Sequence, residues 1–233
     1  MTLQTLLRLA IALVGATASA LAAEPARSHA VRIMAVGDSI TEGAIFFACY
    51  RPLLHEQLRA AGYAVEFVGT RTSETPLGPL AHEGYGGKNT EWLAQTVPEH
   101  FRTHPADIVL LHSGHNHTVE ERPVPGIIAA TERLIAAFRE TNPRVTVLLA
   151  QVIPAGKLPK YSYIPELNAA LARLAARLDA PAQRVIIVDQ AAGFDWRTDT
   201  VADHVHPNTT GAGKMAARWF AALTKILPTP SGH

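Results

Sequence analysis

A serine attacks a carbonyl only if another group takes its proton, and two segments at opposite ends of this chain supply that combination. Ser39 lies in Gly37-Asp38-Ser39-Ile40-Thr41-Glu42-Gly43, two residues past a glycine that ends an apolar run. The position suits a helix N-cap as well as a nucleophile on a strand-to-helix turn. It is not G-x-S-x-G, which disfavours the α/β-hydrolase elbow. Near the other end stands Asp203-His204-Val205-His206-Pro207-Asn208. A spacing of three lets Asp203 reach one ring nitrogen of His206, fix its tautomer and stabilise the imidazolium formed when the other nitrogen takes a serine proton. A helix cap at Asp203 and a surface histidine at 206 is the bland alternative. Acyl transfer also needs donors aimed at the developing oxyanion. Asn116 has a side-chain NH2, Gly87 in Glu83-Gly84-Tyr85-Gly86-Gly87 has an unobstructed N–H, and Ser39 has its own N–H; turn geometry explains each glycine equally well alone.

The chain has 11 histidines, five of them (His112, His115, His117, His204 and His206) in two short segments. Imidazole is a common zinc ligand, so a metal-dependent hydrolase or His-rich metal-binding protein is a reading from another class. Against it, a strand ending at His112 sends the following residues in diverging directions. The single cysteine, Cys49, excludes an internal disulfide framework and any module built on several cysteines. It is a weak rival nucleophile, with His55 downstream but no motif around it. Lys plus Arg number 21 against 20 for Asp plus Glu, which argues against nucleic-acid binding by bulk charge.

Elements must place these groups together. Residues 1–23 read as a secretory signal peptide: Arg8, an apolar run from Leu9 to Ala16, then small-x-small cleavage sites at Ala18-Ser19-Ala20 and Ala20-Leu21-Ala22. An uncleaved anchor is the alternative. The leader points to a bacterial chain that is secreted or periplasmic, without stable membrane insertion after cleavage. Its removal deletes one basic and no acidic residue. Residues 24–227 are expected to form one domain, with 228–233 a loose tail. Apolar runs at Val31–Val36, Val65–Val68, Asp107–His112, Val145–Val152 and Val185–Val188 predict strands. Helical spacing predicts helices over Tyr50–Ala61, Thr90–Thr103, Gly126–Thr141, Ile164–Leu178 and Thr209–Ile226. Residues 70–87, rich in Gly, Pro, Ser and Thr, are expected to be a long loop. The alternation gives an α/β chain with a five-stranded parallel sheet covered on both faces. In such sheets ligands bind beyond the carboxyl ends of the strands. Gly37-Asp38-Ser39, Ser113-Gly114-His115-Asn116-His117 and Asp203 to His206 are polar segments that follow strand ends.

The first segment, Gly87, Gly114-x-Asn116 and Asp203-x-x-His206-Pro207 together resemble, in order, the four blocks of the GDSL/SGNH hydrolase family over nearly all of the mature chain. Cys49-Tyr50-Arg51-Pro52-Leu53, Glu66-Phe67-Val68-Gly69-Thr70, His82-Glu83-Gly84-Tyr85-x-Gly87 and Asp203-x-x-His206-Pro207-Asn208-x-x-Gly211 are similar to its acetylxylan-esterase-like branch. The resemblance implies a single three-layer α/β/α sandwich with flavodoxin-like strand order. It implies Ser39 as nucleophile, His206 as base, Asp203 as its orienter, and an oxyanion hole of Ser39, Gly87 and Asn116. That chemistry needs no metal and no organic cofactor. The implied substrate is a small-molecule or polysaccharide ester carrying an acetyl or other short acyl group. A lysophospholipase or thioesterase of the same fold is the near alternative, and a non-catalytic carbohydrate-binding module the distant one. Where the family has G-T-N-D, this chain has Gly114-His115-Asn116-His117, which affects loop packing and substrate fit. Asp38, Tyr85, His115, His117 and Trp196 are the expected substrate contacts, with Phe46 or Phe47 as a further ring lining a sugar-facing cleft; for the aromatic rings, a place in the core is the alternative.

Overall fold

A computed structural model describes residues 30–230. The expected leader, residues 1–23, and the last three residues of the expected tail lie outside the described residues. No described helix is long and apolar enough to cross a membrane.

The chain alternates strands and helices from β1 (Val31–Gly37) through α1 (Ser39–Glu42), α2 (Tyr50–Ala60), β2 (Val65–Phe67), β3 (Arg71–Ser73), β4 (Leu80–Gly84), α3 (Thr90–Thr103) and β5 (Ile108–His112). It continues through α4 (Val124–Thr141), β6 (Thr146–Gln151), α5 (Ile164–Leu178), β7 (Val185–Asp189), α6 (Trp196–Asp199) and α7 (Thr209–Leu223). The five predicted strands form, as β1, β2, β5, β6 and β7, and they pair in parallel.

Three central strands have apolar middles, Ile33–Val36, Ile108–Leu111 and Val147–Ala150, because both faces of the sheet are covered there. Successive side chains point to opposite faces. Met34 and Val36 of β1, Val109 and Leu111 of β5, and Val147 and Leu149 of β6 pack on one side with Leu93, Phe101, Leu134 and Leu171. Ile33, Leu110 and Leu148 pack on the other side with Leu54, Leu58, Met215 and Trp219. Thus α3, α4 and α5 cover one face, and α2 and α7 the other.

The expectation of five parallel strands needs correction: the sheet has seven strands and is mixed. The supposed loop 70–87 holds β3 and β4, an antiparallel pair with Arg71 opposite His82. The extra strand β4 then joins β1 in parallel, Gly37 opposite Gly84, beyond the stretch where β2 pairs with it. Two short strands therefore share one edge of β1.

That register fixes where the site can form. Gly37 lies between Gly84 on one side and His112 on the other. The segments that follow, to Ser39, to Gly87 and to Asn116, all leave one edge of the sheet from one row. At Gly37 and Gly84 in this row only glycine fits. A Cβ on Gly37 would lie 2.2 Å from the His112 carbonyl oxygen, and one on Gly84 would lie 2.4 Å from the Glu42 nitrogen.

Candidate active site

Ser39 is the first residue of α1, a single turn capped by Asp38, whose Oδ1 accepts the Ile40 N–H at 3.0 Å. The Ser39 N–H is one of the orphan donors at a helix start. It has no hydrogen-bond partner among the described residues.

The Asp203 loop brings His206 to this turn. Its Oδ1 accepts the N–H groups of Val205 at 2.9 Å and His206 at 3.0 Å, and its Oδ2 lies 2.5 Å from His206 Nδ1. A carboxylate only accepts, so Nδ1 carries the proton and Nε2 is left to accept. The Ser39 hydroxyl donates to that Nε2 at 2.8 Å. Burial works to raise the Asp203 pKa, but the bonds from His206 and the two backbone N–H groups outweigh it and hold the carboxyl below its usual range.

Neighbours fix this loop. Asn208 caps α7 through the Gly211 N–H and donates to the carbonyls of Thr198 and Thr200. A Cβ on Gly211 would meet the Asp199 oxygen at 2.1 Å, which explains the glycine. His204 has a left-handed backbone, φ 58°. Its carbonyl accepts the Gly156 N–H, and its ring meets Trp196 edge-on at 5.3 Å. The expected substrate contact Trp196 also stacks under the Arg197 guanidinium, so it braces this loop. Phe47, from the segment between α1 and α2, stacks on the His206 ring at 4.1 Å.

Two more donors come from the same sheet edge. Gly87 turns the chain with φ 72°, and its N–H has no partner among the described residues. Asn116 adopts φ 61° and donates one of its two side-chain N–H bonds to the Lys88 carbonyl at 2.9 Å. That bond ties the third segment to the Gly87 turn. Glu42 ties the same turn to α1: Oε2 accepts the Gly86 N–H at 2.6 Å, while Oε1 takes Arg71. Glu42 has no legible role in the sequence beyond its place in the first block.

Other expected contacts are bonded within the fold. Tyr85 is buried, with its hydroxyl donating to Glu83 at 2.6 Å and beside His100 at 3.0 Å. The buried Glu83 carboxylate needs such partners, and they draw Tyr85 inward. His117 is clamped between Glu91 at 3.0 Å and Glu121 at 2.7 Å, where it cross-links the start of α3 to the turn at Val119–Glu121. The Cys49 thiol donates to the Thr41 carbonyl, and burial pushes its pKa up.

The five histidines do not form one ligand set. Asp38, His112 and His115 do converge in the interior, with one ligand atom of each within 4.8 Å of the others. Burial works to raise the Asp38 pKa, but the two histidines and the Ile40 N–H outweigh it and lower it. The Ile153 N–H points at His112 Nε2 and the Ile153 carbonyl at His115 Nε2. This pattern keeps the His112 proton on Nδ1, the atom that faces the cluster. A cation there would have to displace that proton and leave two N–H groups opposed.

An α/β sheet that sets a serine, a histidine and a carboxylate in line beyond its strand ends has the design of an ester hydrolase. The chain belongs to the GDSL-like lipase/acylhydrolase family, whose model matches residues 35–214. Its fold is similar to a carbohydrate esterase family 3 protein from Talaromyces cellulolyticus, with 29% identity and TM-score 0.75 over 84% of this chain and 97% of that one. A family 3 carbohydrate esterase from Clostridium thermocellum gives 28% identity and TM-score 0.72 over 84% and 96% of the two chains. A multidomain esterase of Ruminococcus flavefaciens is 27% identical over 95% of this chain, which spans 32% of that protein's length. Carbohydrate esterases are thus among the structural neighbours of this chain.

Proposed function

We propose that this chain is a secreted or periplasmic serine esterase that removes acetyl or other short acyl groups from a carbohydrate. The observation that carries the reading is the hydrogen-bonded line from Ser39 through His206 to Asp203, at 2.8 and 2.5 Å. The carbohydrate assignment is supported by the similarity to carbohydrate esterases.

In this reading the Ser39 oxygen attacks the ester carbonyl carbon as His206 Nε2 takes the hydroxyl proton. Asp203 stabilises the imidazolium. The carbonyl oxygen, now anionic, is met by the Ser39 and Gly87 N–H groups and the second side-chain N–H of Asn116. When the tetrahedral adduct collapses, the C–O bond to the alcohol breaks and His206 returns the proton to the leaving oxygen. Water then attacks the acyl-serine, with His206 taking its proton, and the acid and free Ser39 are regenerated. His115, being buried, and His117, being clamped, act on this site through loop packing.

The test is hydrolysis of 4-nitrophenyl acetate and acetate release from acetylated xylan, with Ser39→Ala as blank. Ser39→Ala and His206→Ala are expected to lose about 10⁴-fold or more in kcat. Undiminished activity in either would sink the assignment. A preference for long-chain acyl esters would move it to a lysophospholipase or thioesterase.

A further inference from the structure

The segment between α1 and α2 reverses sharply. Ala44 and Phe47 form an antiparallel bridge, closed by the Phe47 N–H donating to the Ala44 carbonyl, so Ile45 and Phe46 occupy the tip. Turn tips normally carry Gly, Asn, Asp or Ser. Here two large apolar side chains stand 94% and 77% exposed. The base of the reversal is fastened to the histidine loop: Phe47 stacks on His206, and the Ala48 N–H donates to the Pro207 carbonyl at 3.0 Å.

A second loop carries Leu158, 62% exposed. It is fastened to the same segment, with the Gly156 N–H donating to the His204 carbonyl at 2.6 Å. Gly156 packs so closely on Trp196 that a Cβ would lie 2.2 Å from the indole. Single exposed apolar residues need no explanation. Among the described residues, however, the exposed large hydrophobics are Ile45, Phe46, Leu77 and Leu158. Three of these four ride on the two loops that grip residues 204–207.

We propose that Ile45, Phe46 and Leu158 form the subsite for the alcohol half of the ester, and that it takes the C–H-rich face of a sugar chain. The inference rests on the esterase reading above. His206 returns its proton to the leaving alcohol, so the alcohol half lies on the His206 side, while the acyl oxygen faces Gly87 and Asn116. Apolar groups on loops fastened to the histidine loop therefore meet the alcohol. A flexible acyl chain gains most from an enclosed channel. An open tip offers a single face, which suits a flat, rigid ring whose C–H groups lie on an aromatic face and whose hydroxyls stay in water.

The experiment compares kcat/KM for acetylated xylo-oligosaccharides, cyclohexyl acetate and ethyl acetate in the parent chain and in Ile45→Ser, Phe46→Ser and Leu158→Ser. Thermal unfolding midpoints verify folding. The ratio of the oligosaccharide value to the ethyl acetate value is expected to fall about tenfold in Phe46→Ser, mainly through KM, and less in the other two. An unchanged ratio in all three variants overturns the proposal. So does phosphatidylcholine vesicle binding by the parent chain that Phe46→Ser abolishes, because the tip then serves a lipid surface. If the parent hydrolyses ethyl and cyclohexyl acetate but no sugar ester, the carbohydrate reading fails. In that case a selective loss on cyclohexyl acetate upholds the alcohol subsite, and its absence overturns it.

Discussion

Glu42 and Gly86 are joined by a 2.6 Å hydrogen bond from the Gly86 N–H to a carboxylate oxygen three residues beyond Ser39. The bond ties the turn that carries the Gly87 N–H to the turn that carries Ser39, the proposed nucleophile. Loss of a whole oxyanion donor typically costs about 10²–10³-fold in kcat. Glu42→Ala loosens such a donor without deleting it, so a fall of about 10–100-fold in kcat, with KM little changed, is expected. Glu42→Gln keeps an acceptor for Gly86 and should recover most of the loss. Equal effects of Ala and Gln would show that the charge opposite Arg71, not the Gly86 bond, matters.

Asp203 does two jobs with separate oxygens, one on the backbone of its own loop and one on His206 Nδ1. Asp203→Asn preserves the shape, but an amide can present an N–H toward Nδ1 and favour the wrong tautomer. A loss of about 10⁴-fold in kcat is expected. Activity within tenfold of the parent on 4-nitrophenyl acetate would rule out the proposed role.

The long apolar strands were legible because burial on both faces writes itself as continuous hydrophobicity, as in Ile108–Leu111. The β3–β4 pair was not. Arg71-Thr72-Ser73 is polar, and β4 buries His82 and Glu83, which are satisfied by distant partners such as Ser73 and His100. No local pattern reveals such pairings. For the same reason Tyr85 reads as a cleft aromatic in the sequence, yet its hydroxyl is turned inward by Glu83. The replacement of the family's Thr and Asp by His115 and His117 was visible, but not that Glu91 and Glu121 would clamp the second of them. The segments bearing Ser39, Gly87, Asn116, Asp203 and His206 were legible because each follows a strand end or sits in a compact motif.

Gly37 shows how tightly the sheet edge is built. The Cβ of Gly37→Ala would overlap the His112 carbonyl and lie 2.4 Å from Thr41 Oγ1. Overpacking of this kind costs about 1–3 kcal/mol. The chemical-unfolding midpoint should fall accordingly, and activity should drop further, since β1 and β5 must separate beneath Ser39. Gly213→Ala, where a Cβ meets nothing within 4 Å inside α7, is the contrasting case and should be neutral or slightly stabilising.

Two buried histidines set the acid limit of stability. His82 accepts the Gly84 N–H on Nδ1 and lies 3.0 Å from the Ser73 hydroxyl through Nε2. Burial, then Arg51 and Arg71, push its pKa down to about 3. His112 is pushed down to about 4, chiefly by burial. Both titrate near pH 6.5 in the unfolded chain. Between that value and their folded values the unfolded chain holds more protons, so stability rises with pH. Their contribution is complete above about pH 6.5 and is lost as pH falls, by up to about 1.4 kcal/mol per pH unit for each histidine. The carboxyls of Asp38 and Asp203, with lowered pKa values, act in a lower window, below the ordinary aspartate range. Urea unfolding at pH 7, 5.5 and 4.5 should show this slope. His82→Gln, which keeps a donor for Ser73 and an acceptor for Gly84 but cannot titrate, should reduce it by about one histidine's share; an unaltered slope would show that His82 is not the group that titrates.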